Sequence, residues 1–164
     1  MSLQCYVGID PGLTGAIAVI DDQGACLGLL DMPLRKISGV KTAIVKNEVD
    51  ARALADWLRP LIAGRDAVAV IERVGSRPGQ GVATTFSLGD SLGAARAVLE
   101  CLCSSVSDVK PQEWKLSMSV SDDKSTSLDA ARRLFPTAAQ MLKRKKDHGR
   151  AEALLISEFA RKKC

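Results

Sequence analysis

The sequence predicts an α/β fold: a mixed five-stranded sheet, part antiparallel meander and part parallel strands, with helices on both faces. Two observations lead there. Three short apolar runs at residues 7–9, 16–20 and 25–30 are separated only by Pro11-Gly12-Leu13-Thr14-Gly15 and by Asp21-Asp22-Gln23-Gly24, spacings that suit hairpins. Two later apolar runs, 67–71 and 105–109, alternate with segments of helical period, the pattern of strands joined by crossovers.

The elements follow in order. After the meander, Met32-Pro33 breaks the strand pattern, and Lys36, Lys41 and Lys46 mark a basic, exposed loop. Leu54, Trp57, Leu58, Leu61 and Ile62 recur at steps of three and four, which predicts a helix over 49–62 that ends at Gly64. The run 67–71 is Val- and Ala-rich, as in a strand covered on both faces, and it ends in Glu72. Arg73 to Gly81 is a basic loop. Residues 84–102 form a second helix, with Leu88, Leu92, Ala95, Leu99 and Leu102 on one stripe. Gly89 and Gly93 lie four apart on it, open to close approach by the sheet (the favoured reading) or by a second subunit. A strand over 105–109 leads to Pro111, which suits the first turn of a short helix through Glu113 and Trp114. Ser121-Asp122-Asp123 caps a helix over 124–135, stopped by Pro136. Beyond the basic run Lys143-Arg144-Lys145-Lys146, a last helix spans 149–163. The order is β-β-β-α-β-α-β-α-α-α, read as a single domain over residues 1–164.

Composition narrows the class. A chain of 164 residues buries a core without disulfides or structural metal. Five irregularly spaced cysteines do not form a secreted disulfide framework, and Cys101-Leu102-Cys103 with one histidine is a poor zinc signature. No run approaches the ~20 apolar residues that span a bilayer, so a membrane role is not expected and a cytoplasmic, reducing location is. The net charge of +4 permits a polyanionic partner.

The carboxylates carry the chemistry. Asp10 stands where the first strand meets its turn, and burying it needs a compensating cation or hydrogen bonds. It serves either as a ligand to a divalent metal or as a cap on the turn amides of Gly12 and Leu13. Glu72 ends a strand that a crossover makes parallel to the first. If the two are neighbours, both acids lie at the carboxyl end of the sheet, where ligands collect, and ~4.8 Å apart in strand spacing. Its alternative is an ion pair with Arg73 or Arg77. Glu152 enters from the last helix, flanked by Ala151 and Ala153, with His148 four residues before it on the same face and Asp147 upstream. For these three the plain readings are a first-turn acid, a loop histidine and an N-cap. Lys143, Arg144, Lys145, Lys146 and Arg150 on one side, with Arg73 and Arg77 on the other, ring the acids with positive charge, a setting suited to phosphodiester chemistry.

The ordered set of motifs resembles RuvC-type Holliday junction resolvases of the ribonuclease H-like superfamily, and within them the phage and prophage-type branch. Gly8-Ile9-Asp10-Pro11-Gly12 resembles the first motif and Ile71-Glu72 the second. Residues 87–96 are similar to the helix that follows, Lys110-Pro111 and Asp123-Lys124-Ser125 to two lysine-bearing segments, and Arg150-Ala151-Glu152-Ala153-Leu154-Leu155-Ile156 to the closing helix. The resemblance implies a ribonuclease H-like fold and a homodimeric endonuclease, without a nucleotide cofactor, that binds four-way DNA junctions and nicks them symmetrically with Mg²⁺ or Mn²⁺. Asp10, Glu72, Asp147 and Glu152 would hold the metals, with Lys124 and Lys110 stabilising charge on the scissile phosphate. The chain departs from the family twice. Gly149 occupies the usual position of the fourth ligand, so Asp147, or else His148, must substitute. Gly75 stands where some members carry an aromatic wedge, which passes that role to Arg77, Val74 or Phe86. The alternatives are a related nuclease acting on branched DNA or RNA–DNA hybrids, and a non-catalytic junction-binding protein.

Overall fold

Five strands form one sheet in the order β3-β2-β1-β6-β7. The structure is a computed structural model that describes residues 3–37, 47–76 and 78–164. Lys41, Lys46 and Arg77 lie outside the described residues. β1 (Leu3–Asp10), β2 (Ala16–Asp21) and β3 (Cys26–Asp31) make the antiparallel meander. β4 (Leu34–Lys36) and β5 (Asn47–Val49) pair as a separate two-stranded ribbon where the sequence predicts a loop and, from Val49, the start of a helix. Pro33 masks these strands in the pattern, because three residues are too few to show a period of two. Helix α1 (Ala51–Ile62) follows, capped by Asp50, whose carboxylate accepts from the Ala53 amide at 3.0 Å. β6 (Arg65–Glu72) then lies parallel to β1, and after α2 (Val82–Leu102), β7 (Ser105–Val109) lies parallel to β6. Helices α3 (Pro111–Met118), α4 (Lys124–Leu134) and α5 (His148–Lys163) complete the chain, with 3₁₀ turns at Pro136–Leu142 and Lys145–Asp147 between the last two.

Strand alternation divides the core in two. Cys5, Val7 and Ile9 of β1 and Ala67, Ala69 and Ile71 of β6 face α1 and α2, meeting Leu54, Leu58, Ala95 and Leu99. The intervening residues, Tyr6 and Val70 among them, face α3 to α5 and meet Trp114, Leu154 and Leu155. α5 is the central helix of that second layer, and its residues from Ala153 to Ala160 are all buried. It lies so close to β1 that a methyl built on Gly8 would stand 2.3 Å from both the Ala153 carbonyl oxygen and the Ser157 nitrogen.

α2 corrects one expectation. Gly89 and Gly93 do not meet the sheet: a methyl built on either finds nothing within 4 Å. With Val82 (87% exposed) and Phe86 (77% exposed) they form a bare apolar seam at spacings of four, three and four.

Candidate metal centre and nucleic-acid interface

Two parallel neighbours bring the first two acids together. Ile9 is the register partner of Ile71, so Asp10 and Glu72 are the next residues along adjacent strands. Each is one residue beyond a side chain that points at α1 and α2, so both carboxylates project into the α5 layer. Glu152 reaches the same place from the first turn of α5. The convergence shows in the electrostatics of Asp10. Its carboxyl is pushed well above the usual range, by burial first and then by the charges of Glu152 and Glu72, with Lys124 and Lys115 pulling the other way. Glu152 is likewise raised by burial, again against Lys115 and Lys124.

The turn after Asp10 is closed by backbone, the Gly15 N–H donating to the Gly12 carbonyl at 3.1 Å, with Gly12 at φ +120°. Among the described residues, then, the turn is not capped by Asp10. Glu72 accepts a 2.6 Å hydrogen bond from the indole Nε1–H of Trp114, which is fully buried and enters from α3. Arg73 pairs with Asp108, at 3.8 Å.

Gly149 sits against the centre. A methyl there would stand 2.8 Å from the Thr14 carbonyl oxygen and 3.2 Å from Asp10 Oδ2, so a side chain would have to displace the turn. Asp147, ranked first as its substitute, has both carboxylate oxygens engaged by Arg144. Oδ2 accepts from the Arg144 backbone N–H at 2.8 Å, and Oδ1 from the guanidinium at 2.7 and 3.0 Å. That pairing holds its carboxyl below the ordinary range. His148 is also engaged: its Nε2 is 2.9 Å from Lys124 Nζ, and its Nδ1 is 3.3 Å from the Lys145 carbonyl oxygen. One tautomer satisfies both contacts, with Nδ1–H donating and Nε2 accepting from the ammonium.

The predicted cations divide. Lys143, Lys145 and Lys146 are exposed. Arg150 departs from the expected rim: its guanidinium donates to Asp31 at 2.6 and 2.7 Å and to the Met141 carbonyl at 3.1 Å, clamping the start of α5 to the end of β3. Lys110 is exposed beside the first turn of α3, and its charge does not figure among those acting on Asp10 or Glu152; Lys115, one turn further along and held by Asp122 at 2.9 Å, does act on both. Sequence reasoning does not single out Lys115, Trp114 or Asp31. For the first two the signal was available, since a helix that starts at the carboxyl end of β7 must cross in front of Glu72.

Two openings flank the β1–β2 turn. One, of about 420 Å³, is basic, with Lys124, Arg144, Lys146 and His148 on its wall. The other, of about 260 Å³, is neutral and lies between the turn and α2. The donor set suits a hard divalent cation, because a buried carboxyl that two neighbouring carboxylates push up is relieved by one. Among the described residues, however, no three Asp, Glu, His or Cys side chains are already drawn together around an ion position.

The sheet order, strand senses and helices on both faces define a ribonuclease H-like fold. The solved structures agree. T. thermophilus RuvC in complex with Holliday junction substrate matches with a TM-score of 0.58 at 16% identity, over 94% of this chain and 90% of that one. A second Thermus thermophilus RuvC structure matches with a TM-score of 0.53 at 16% identity, over 98% and 97%. The chain therefore has the fold of RuvC. No protein-family model matches it. In sequence it is similar to the chloroplastic Holliday junction resolvase MOC1 of Chlamydomonas reinhardtii, 34% identical over 89 residues. That stretch is 53% of this chain, which spans 10% of the length of the curated relative.

Proposed function

We propose that this protein is a structure-selective endonuclease that resolves four-way DNA junctions by metal-dependent, symmetrical nicking. One observation carries the reading: Asp10 and Glu72 end neighbouring parallel strands, Glu152 approaches from α5, and Lys115 and Lys124 act on Asp10 and Glu152. The RuvC fold and the sequence similarity to a Holliday junction resolvase support the substrate.

In this reading Asp10, Glu72 and Glu152 hold Mg²⁺ or Mn²⁺. The fourth donor is Asp147 or else His148, and either would have to give up a partner, Arg144 for the first and Lys124 for the second. Bound there, the metal supplies an activated water and stabilises the leaving oxygen. Trp114 holds Glu72 through its indole N–H, so that the carboxylate is positioned before substrate arrives. Lys124 and Lys115 bring positive charge towards the scissile phosphate. Lys143, Lys145 and Lys146 on one flank and Arg73 on the other contact phosphates and make affinity fall with salt. Two symmetrical nicks need two centres related by a twofold axis, and the bare seam of α2 is the face we assign to a homodimer. The cysteines are free, which suits the reducing, cytoplasm-like compartment we propose; no helix among the described residues is long and apolar enough to cross a membrane.

The test is cleavage of a synthetic mobile four-way junction with mapped nicks and a Mg²⁺ titration. Paired nicks are expected, and Asp10→Asn should lower the rate by about 10³-fold or more while binding the junction as the native chain does. Junction binding without metal-dependent nicking would leave a non-catalytic binding protein. Faster cutting of an RNA–DNA hybrid or a fork would move the enzyme to a related substrate class.

A further inference from the structure

Arg150 lies two residues before Glu152 in the first turn of α5, and side chains two apart on a helix point away from each other. Glu152 turns towards Asp10, where its charge is felt. Arg150 turns to the end of β3 and meets both carboxylate oxygens of Asp31, at 2.6 and 2.7 Å, while its third nitrogen donates to the Met141 carbonyl at 3.1 Å. A two-pronged pair of this kind fixes orientation as well as distance. The end of β3 is in turn tied to the β1–β2 turn, since the Met32 N–H donates to the Gly15 carbonyl at 2.9 Å. Gly149 rests on that turn too: a methyl built on it would stand 3.4 Å from the Gly15 Cα. The end of β3, the turn that begins at Asp10 and the start of α5 are thus knotted together beside the centre. The knot has a force to oppose. A cation is bound by ionised carboxylates, yet the charge of Glu152 pushes the Asp10 carboxyl up, so the two ionised acids repel until a cation arrives. β1 is fixed within the sheet, whereas Glu152 sits near a helix end, where fraying is ordinary.

We propose that Arg150 and Asp31 are positioning residues of the metal centre, their ion pair holding the first turn of α5 on the β1–β2 turn so that Glu152 stays against Asp10 before metal binds. The proposal rests on the reading of Asp10 and Glu152 as metal ligands and adds to it what keeps them together. It also separates Arg150 from the DNA-facing cations, because all three of its guanidinium nitrogens donate within the chain. The pair is sheltered on the arginine side, whose side chain is 18% exposed, so it holds better than an ion pair in open water. Partners that orient ligands in this way are worth about 10- to 100-fold in metal affinity.

The test is a calorimetric titration of Mn²⁺ into the metal-free chain without DNA, with a thermal melt of each variant to show that it is folded at the titration temperature. The native chain should bind saturably and Asp10→Asn should not, which assigns the signal to this centre. Asp31→Asn and Arg150→Gln should each weaken binding by about 10- to 100-fold. Arg150→Lys keeps a cation without the planar fork and should fall between native and Arg150→Gln. The two charge-removing variants separate position from charge. Asp31→Asn deletes a negative charge near the site and Arg150→Gln a positive one, so a purely electrostatic effect weakens binding in the first and strengthens it in the second. A loss in both supports the proposal. Opposite signs overturn it, as does a lowered melting temperature with unchanged Mn²⁺ affinity, which would make the pair a brace for the fold alone; either result leaves the metal reading standing. A native chain that binds no Mn²⁺, or an Asp10→Asn chain that binds it as well as the native one, sinks the metal reading and the proposal with it.

Discussion

Helices α5 and α2 cover opposite faces of the same sheet, and the fold treats them in opposite ways. α5 is buried along eight consecutive residues and approaches β1 at backbone contact over Gly8. α2 buries Ser91, Ala95, Val98 and Leu99, packs Leu92, Ala94 and Leu102 beside them, and presents Val82 and Phe86 of its first turns to solvent. The helix that carries an acid into the centre is held rigidly on every side. The helix on the opposite face is left bare along its first turns. Preorganised charge needs an immovable support, because a carboxylate displaced by even about 1 Å loses much of its effect on chemistry.

The sharpest way to break that contrast is Gly8→Ala. The added methyl would meet two backbone atoms of α5 at 2.3 Å, and backbone cannot rotate aside. Overpacking of this kind costs about 3 kcal/mol or more, which in a chain of this size lowers Tm by roughly 6–12 °C. Thermal melting followed by circular dichroism reads it. A melt within about 2 °C of the native one would mean that α5 is not seated so closely.

A smaller effect is expected where α3 supports the centre. Trp114→Phe keeps most of the buried volume but removes the N–H that donates to Glu72. Hydrogen bonds to charged groups are worth about 1.5–3 kcal/mol. The nicking rate should fall by roughly 10- to 100-fold, with a higher Mg²⁺ concentration for half-maximal rate. Single-turnover rates across a Mg²⁺ series measure both, and an unchanged Mg²⁺ dependence would assign Trp114 to packing alone.

How much of this was legible follows from the range of each interaction. The convergence of Asp10 and Glu72 could be read because a crossover makes the two strands it joins parallel, and β1 and β6 are parallel neighbours. Glu152 was legible from its place one turn into the last helix. Asp147 was not, since its two oxygens answer to Arg144 through a 3₁₀ turn that no periodicity announces. Arg150 reads as one more cation in a basic stretch, and only the third dimension brings Asp31, 119 positions away, against it. The glycines of α2 misled for a related reason: a helix apolar on both sides gives no signal of which side meets the sheet.

Asp10 should also show the tension between stability and function. Its carboxyl is raised in the fold, so the protonated form is favoured there and the ionised form carries a cost. Below the ordinary carboxylate pKa of ~3.9 the group is protonated in both folded and unfolded chains and adds no difference. As pH rises from there through its elevated folded value, stability is lost. In EDTA at neutral pH, Asp10→Asn should therefore melt about 2–5 °C above the native chain, and the gap should close near pH 4. A native chain more stable than the variant at neutral pH without metal would show that the acids are already compensated by Lys115 and Lys124.

The same substitution that is ruinous under α5 should be harmless on α2. Gly89→Ala meets nothing within 4 Å in the protomer, and alanine exceeds glycine in helix propensity by about 0.8–1 kcal/mol. The isolated protomer should gain roughly 2–4 °C in Tm, the reverse of Gly8→Ala. If the seam of Val82, Phe86, Gly89 and Gly93 is where two chains meet, the methyl should at the same time hold the helices apart and weaken association. Sedimentation velocity over a concentration series separates the two effects: a more stable chain with weaker self-association is the expected pair. Unchanged association in Gly89→Ala, together with unchanged association in Phe86→Ser, would rule out α2 as the face on which two chains meet.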